Sequence, residues 1–255
     1  MYLFGERGLG TLRAVPFDMV DLSAFKYVKK NEDDKSARNK RHRISGNKES
    51  VTKKAKIDIP RDWPGPLPPI LHPNLKIVFV GFNPGTESAR LGHYYAHPSN
   101  RFWKYLFWSK ITETLHTPFE DRRMPSKYQI GFCDLVARST KGITQLNKQE
   151  MLQGAHELDN RVASVCPNIV CFVGKGIWEA VARAFGWNIK DFRYGKDRKH
   201  KFGHGKSLLY CVASTSGLNS ISTELQLEAW NELKQELSVL PLAPQADEIP
   251  LPENQ

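Results

Sequence analysis

The chain has 255 residues, of which 40% are hydrophobic, and its formal net charge is +10 at pH 7. This hydrophobic content is enough for one packed domain of ordinary size with additional polar ends. No apolar run approaches the ~20 residues that a membrane-spanning helix needs, and the N-terminus lacks the basic-then-apolar pattern of a secretory signal. These features argue against a membrane protein and against a secreted one.

The positive charge is concentrated near the N-terminus. Residues 1–60 contain 14 Lys and Arg against 8 Asp and Glu. Two basic clusters, Lys40–Arg43 and Lys53–Lys56, lie about ten residues apart in a polar segment that has almost nothing to bury. This pattern suits a nuclear import signal or a sliding contact with DNA phosphates, and a merely solvated tail is the alternative.

Proline-rich segments bound the part of the chain that can fold. One begins at Asp62 and another follows Leu240. The sequence therefore predicts a basic disordered arm over residues 1–61, a folded domain over 62–240 and a proline-rich disordered tail over 241–255.

Within this domain, apolar runs alternate with helical patterns. In chain order we predict a strand at 75–80, a helix at 99–108, a strand at 130–136, a helix at 148–165, a strand at 168–174, a helix at 175–184, a strand at 208–213 and a helix at 222–240. Such alternation predicts an α/β three-layer sandwich, with a mainly parallel central sheet flanked by helices.

Motifs for metals and nucleotide cofactors are absent from the sequence. The four cysteines form no C-x-x-C pair and have no histidine at zinc-finger spacing, so we expect reduced thiols and no metal site. Neither the phosphate-binding G-x-x-x-x-G-K-[ST] nor the dinucleotide-binding G-x-G-x-x-G is present, which weakens the alternative of a nucleotide-binding enzyme unrelated to DNA. We expect no cofactor.

Two loops after predicted strands carry the functional residues. In open α/β sheets ligands bind beyond the carboxyl ends of the strands. The first strand runs directly into Gly81-Phe-Asn-Pro-Gly85, where Asn83 offers one acceptor and two donors. The segment after it mixes aromatic residues and histidines, which suits a flipped base. The strand at 208–213 leads to Leu218, an apolar residue on a loop of small residues that could wedge into a base stack.

The combination of GFNPG (81–85), AHPSNRFW (96–103) and SGL (216–218), in this order, resembles the mismatch-specific uracil/thymine DNA glycosylases, a branch of the uracil-DNA glycosylase superfamily. The resemblance covers roughly residues 67–237. It implies an enzyme that flips mispaired uracil or thymine (G·U, G·T) out of DNA, hydrolyses its N-glycosidic bond and so starts base excision repair. Because no lysine lies in the loop 81–85, we expect a monofunctional enzyme, and the basic clusters favour the nucleus. The implied partner is double-stranded DNA with a mispaired or damaged pyrimidine, and we expect the enzyme to act as a monomer.

The resemblance also implies roles for individual residues. Asn83 stands where the family's catalytic Asn holds the attacking water, and Tyr95 where an aromatic ring stacks on the base. Leu218 stands at the wedge that fills the hole left by the base. The other implied residues border the base pocket (Gly81, Phe82, Ser88) or belong to the loop that clamps DNA (Ser216, Gly217, Asn219).

The sequence departs from the family pattern at two places. Ser214 and Thr215 replace the Asn-Pro of the bacterial distal loop, so contacts to the base or DNA backbone must differ there. Asp134 stands where eukaryotic relatives usually have Asn and bacterial ones Lys. A carboxylate there could activate water or read a base N3–H, so we predict a catalytic role, with a structural Asp as the alternative. A mismatch-binding protein with weak or no catalysis is the remaining alternative function.

Overall fold

A five-stranded sheet lies at the centre of the computed structural model, which describes residues 67–240. Its strands are β1 (Ile77–Gly81), β2 (Ile130–Asp134), β3 (Ile169–Val173), β4 (Gly195–Phe202) and β5 (Ser207–Val212). Their order is β2-β1-β3-β5-β4, and all neighbours are parallel except β4, which runs antiparallel to β5. The predicted arm and tail lie outside the described residues.

Within residues 67–240, six α-helices connect and cover the strands. They are α1 (Thr86–Leu91), α2 (Phe102–Trp108), α3 (Met124–Tyr128), α4 (Lys148–Val165), α5 (Lys175–Phe185) and α6 (Thr223–Val239). The two long helices begin at polar N-caps. The Asn147 side chain accepts a hydrogen bond from Glu150 N at 2.8 Å, and Ser222 Oγ accepts one from Leu225 N at 3.3 Å. Such caps satisfy donors that a helix start leaves free.

The sheet is buried on both faces, because successive side chains of a strand point to opposite sides. In β1, Ile77 and Phe79 pack in a cluster with residues of α2 and α6, whereas Val78 and Val80 pack in a second cluster with residues of α4 and α5. Helices therefore lie on each side of a mostly parallel sheet, and the predicted three-layer α/β sandwich is confirmed.

The structure differs from the predicted elements mainly in charged or short segments. The strand β4 was not predicted, because its sequence Gly-Lys-Asp-Arg-Lys-His-Lys-Phe has no apolar run. It lies at the sheet edge, where charged side chains reach solvent. The helix expected from residue 99 begins only at Phe102, because Asn100 Oδ1 accepts a hydrogen bond from Phe102 N at 3.0 Å and so precedes the first helical turn.

Across residues 67–240, no helix is both long enough and apolar enough to cross a lipid bilayer. The same residues contain no group of three or more His, Cys, Asp or Glu side chains arranged to hold a metal ion.

Candidate active site

A cavity of about 460 Å³ opens at the carboxyl ends of the parallel strands. The loops after β1 and β5 form much of its wall, and the last residue of β2 contributes to it as well. Eight of the residues predicted from sequence line this cavity: Gly81, Phe82, Asn83, Ser88, Tyr95, Asp134, Ser216 and Leu218. The folded chain thus brings together side chains that are up to 137 positions apart in sequence.

Asn83 follows β1 directly, and its side-chain amide has a fixed orientation. Its Nδ2 donates to the main-chain oxygen of Arg138 at 2.9 Å and to Thr140 Oγ1 at 2.7 Å. A main-chain oxygen can only accept, so the nitrogen must face Arg138. The hydroxyl of Thr140 in turn donates to Gly142 O at 3.0 Å. Both amide protons are therefore engaged within the protein, and Oδ1 is the atom that Asn83 can offer to a water in the cavity.

Tyr95 presents an aromatic ring in the cavity wall. Its backbone has a positive φ of 53°, and its ring stacks on Phe102 with centroids 3.9 Å apart and planes 10° apart. The preceding residue is held by the fully buried Asp121, whose Oδ2 accepts from Tyr94 N at 2.9 Å. On the other side, Ser88 Oγ accepts from Ala96 N at 3.0 Å. Because Phe102 covers one face of the ring, the opposite face is the one left for a ligand.

Asp134 is the last residue of β2 and pairs in register with Gly81 at the end of β1. It is 7% exposed, and its Oδ2 is a buried atom with no hydrogen-bond partner among the described residues. Burial raises the pKa of this carboxyl from 3.8 to about 7, although the charge of Arg161 lowers it in part. Arg161 donates to the main-chain oxygen of Asp134 at 3.2 Å.

The loop after β5 places Leu218 at its tip, where the residue is 96% exposed. Asn219 holds the loop from within, since its Nδ2 donates to Ser214 O at 2.6 Å and its main-chain N donates to Ser216 O at 3.0 Å. Gly217 packs against Ser99, where an added Cβ would lie 2.6 Å from the hydroxyl oxygen. The side chain of Asn219 is therefore turned into the loop, and neither Gly217 nor Asn219 lines the cavity.

Sequence reasoning missed the segment between β2 and α4 that closes the site. Thr140, Lys141, Gly142 and Ile143 line the cavity, and Thr140 is buried where it bonds to Asn83. No motif in this segment indicates a functional role, since a threonine before Lys-Gly is typical of an ordinary turn. The one signal was its position shortly after a strand that ends at the same edge as β1.

Comparison with known proteins gives a family match. The model of the uracil DNA glycosylase superfamily matches residues 68–234, a range that includes every predicted site residue. Among solved structures, the chain is similar to the solution NMR structure of a candidate uracil DNA glycosylase from Methanosarcina acetivorans. That similarity has 18% sequence identity and a TM-score of 0.47, and it covers 69% of this chain and 98% of that chain.

Proposed function

The chain belongs to the uracil DNA glycosylase superfamily, and from this premise we propose that it hydrolyses the N-glycosidic bond of mispaired uracil or thymine in double-stranded DNA. In this reaction the C1′–N1 bond breaks with its electron pair on the base, and a water oxygen bonds to C1′. The sugar gains oxocarbenium character and the base gains negative charge. A site for this chemistry must therefore place a water below the sugar and stabilise the departing base.

The orientation of Asn83 is the observation that carries the proposal. Arg138 O and Thr140 Oγ1 engage its amide protons, so Oδ1 is available as an acceptor for a water in the cavity. An amide holds and orients a water but is not a strong base. We therefore expect slow chemistry, with selectivity that depends on which base leaves the helix easily.

Base flipping supplies that selectivity, because a mispaired base costs less to unstack than a paired one. A flipped pyrimidine would stack on the ring of Tyr95, which Phe102 supports from behind. Leu218 projects from the rim of the same cavity and is free to enter the base stack that the pyrimidine leaves.

The proposed enzyme is monofunctional, which means that it leaves an intact sugar–phosphate backbone at the abasic site. No lysine lies in the loop Gly81–Gly85. Lys141 lines the cavity, however, and its amine is the group that could attack C1′ in a lyase. Borohydride trapping tests this directly: we expect no covalent enzyme–DNA adduct, and strand breaks only after alkali.

The decisive experiment measures single-turnover release of the base from a G·U duplex. We expect Asn83→Ala to lower the rate constant by about 100-fold or more, because the water is no longer positioned, while duplex binding stays nearly unchanged. Asn188→Ala is the matched control, since Asn188 caps a surface turn outside the cavity by accepting from Lys190 N. Equal rates for Asn83→Ala and the wild type would refute the assignment.

Substrate comparison tests the mismatch part of the proposal. We expect faster release from G·U and G·T duplexes than from the matched A·U and A·T pairs, because the mispaired base flips more easily. Specific binding of a G·U duplex with no release of base from any substrate would instead support a mismatch-binding protein without catalysis.

We extend the proposal to a monomeric enzyme that acts in the nucleus. The two basic clusters at Lys40–Arg43 and Lys53–Lys56 support nuclear import. A fluorescent fusion of the full chain should accumulate in nuclei, and a fusion in which both clusters are replaced by alanine should not.

A further inference from the structure

Two buried polar groups converge on one point of the cavity wall. An added Cβ on Gly81 would clash with Asp134 Oδ1 and would lie 3.6 Å from the hydroxyl of Tyr95. Asp134 Oδ2 and this hydroxyl are both buried without a hydrogen-bond partner among residues 67–240. Buried polar atoms usually have partners, so two orphaned atoms in one wall of a cavity indicate a polar ligand. The missing side chain of Gly81 provides the room for the Asp134 carboxyl.

We place these two groups on the side of the cavity that would receive the base. Tyr95 carries the ring on which the base is proposed to stack, and its hydroxyl and the Asp134 carboxyl both lie near the position that a Cβ on Gly81 would take. The amide of Asn83, by contrast, is turned toward Arg138 and Thr140, and no hydrogen bond joins Asn83 to Asp134 within the described residues. We therefore assign the carboxyl of Asp134 to the base rather than to the water.

The surroundings of Asp134 favour its neutral form. The cation packed nearest, Arg161 of α4, bonds to the main-chain oxygen of Asp134. The other titratable groups that face it are Tyr94 and Tyr95 from the loop before α2 and Cys133 from β2. Burial raises the pKa of all three above their ordinary values, so they stay neutral near pH 7. With a pKa of about 7, Asp134 alone among these groups changes charge near neutrality.

We propose that Asp134 works as a neutral carboxylic acid that, together with the hydroxyl of Tyr95, donates a hydrogen bond to the polar edge of the flipped pyrimidine. This role rests on the glycosylase function proposed above. As the C1′–N1 bond breaks, its electron pair delocalises onto the carbonyl oxygens of the base, and the donated hydrogen bonds stabilise that charge. The proton stays on Asp134. The attacking water loses its proton to solvent, and the released base takes one from solvent.

An ionised Asp134 would destabilise the negative charge on the departing base. A carboxylate offers no donor, and it would repel the departing base anion across the cavity. A carboxyl group held neutral by an apolar environment is a known way to present a hydrogen-bond donor at neutral pH. If Asp134 were instead the base that activates water, only its ionised form would be active. The two roles therefore predict opposite effects of pH.

The test is the pH dependence of single-turnover base release from a G·U duplex between pH 5.5 and 8.5. For the wild type we expect the rate constant to fall through about pH 7, approaching a tenfold loss for each further pH unit. Asp134→Asn keeps a donor but does not titrate, so its rate should stay level and exceed the wild type at pH 8.5. Asp134→Ala, without a donor, should be slow at every pH.

His97→Gln is the control for a change elsewhere in the cavity wall, because His97 is exposed and lines the same cavity. This variant should keep the wild-type fall. A wild-type rate that rises through pH 7, or an Asp134→Asn variant that keeps the fall, would overturn the donor role while leaving glycosylase function intact. If Asp134→Asn does not fold, the sign of the wild-type slope still decides. Absence of base release at every pH would refute the function itself, and the donor role with it.

Discussion

Replacing Asp134 by Asn should stabilise the folded protein strongly at pH 8 and much less at pH 4.5. The pKa of Asp134 is about 7 in the folded protein, against an ordinary 3.8. As pH rises from about 4 to 7, the unfolded chain releases this proton while the folded chain keeps it. The folded state then binds more protons, so the stability of the wild type falls across this window. The amide in the Asp134→Asn variant has no such proton to release, so its stability does not fall for this reason.

The magnitude follows from the difference in proton affinity. Each tenfold change in the acid dissociation constant is worth about 1.4 kcal/mol. Ionising Asp134 in the folded protein therefore costs about 4 kcal/mol more than in the unfolded chain, as an upper value. A domain of this size responds with a change in Tm of roughly 2–4 °C per kcal/mol. Calorimetry should therefore show the Tm of Asp134→Asn above that of the wild type by on the order of 10 °C at pH 8.

The control is Asp197→Asn. Burial raises the pKa of Asp197, but hydrogen bonds from His200 and Trp178 outweigh this and leave the pKa below its ordinary value. Its carboxylate is thus stabilised when ionised, and Asp197→Asn should lower the Tm at pH 8. If the Tm of Asp134→Asn exceeded that of the wild type equally at pH 4.5 and pH 8, the carboxyl would not be held neutral by burial, and the reasoning would be wrong.

Three further predictions concern the site and the arm. Leu218→Ala should slow release from a G·U duplex by about tenfold or more relative to single-stranded uracil, since a wedge acts only on a stack; equal losses on both substrates would exclude a wedge. Thr140→Val should lower the single-turnover rate about tenfold, because it removes a hydroxyl that holds Asn83. Thr140→Ser keeps the hydroxyl and should stay near the wild type. An unchanged rate for Thr140→Val would show that Asn83 holds its orientation without the hydroxyl. Deleting residues 1–60 should reduce the salt dependence of DNA binding, by about 0.9 in the log–log slope for each lost phosphate contact, and keep catalysis. An unchanged slope would mean that the arm does not touch DNA.

Most of the fold can be predicted from the sequence, because the parallel strands are buried on both faces and therefore form apolar runs. Residues Ile77–Gly81 and Ile169–Val173 are examples. The strand β4 has no apolar run, because an edge strand can be held by main-chain hydrogen bonds to β5 while its side chains are charged. Its pairing depends on a neighbour that no local pattern reveals.

The site residues also differ in how far the sequence alone predicts their position. Asn83 follows the end of β1, so strand prediction is enough to place it at this edge of the sheet. Tyr95 lies between α1 and α2, and only the family resemblance assigns it to the site. The support of Asn83 by Thr140 spans 57 residues, and the pairing of Gly81 with Asp134 depends on the register between β1 and β2. Burial and pKa arise from that register, and a one-residue slip would turn the carboxyl to the other face of the sheet.

The loop that carries Leu218 is fastened to the segment that carries Tyr95. Arg101 N donates to Thr215 O at 2.9 Å, and Gly217 lies against Ser99. A displacement of Leu218 on binding DNA would therefore be transmitted to residues only a few positions after Tyr95. On the proposed function, entry of Leu218 into the base stack and stacking of the flipped base on Tyr95 would be coupled, so we expect a substrate to allow both before the bond is cut.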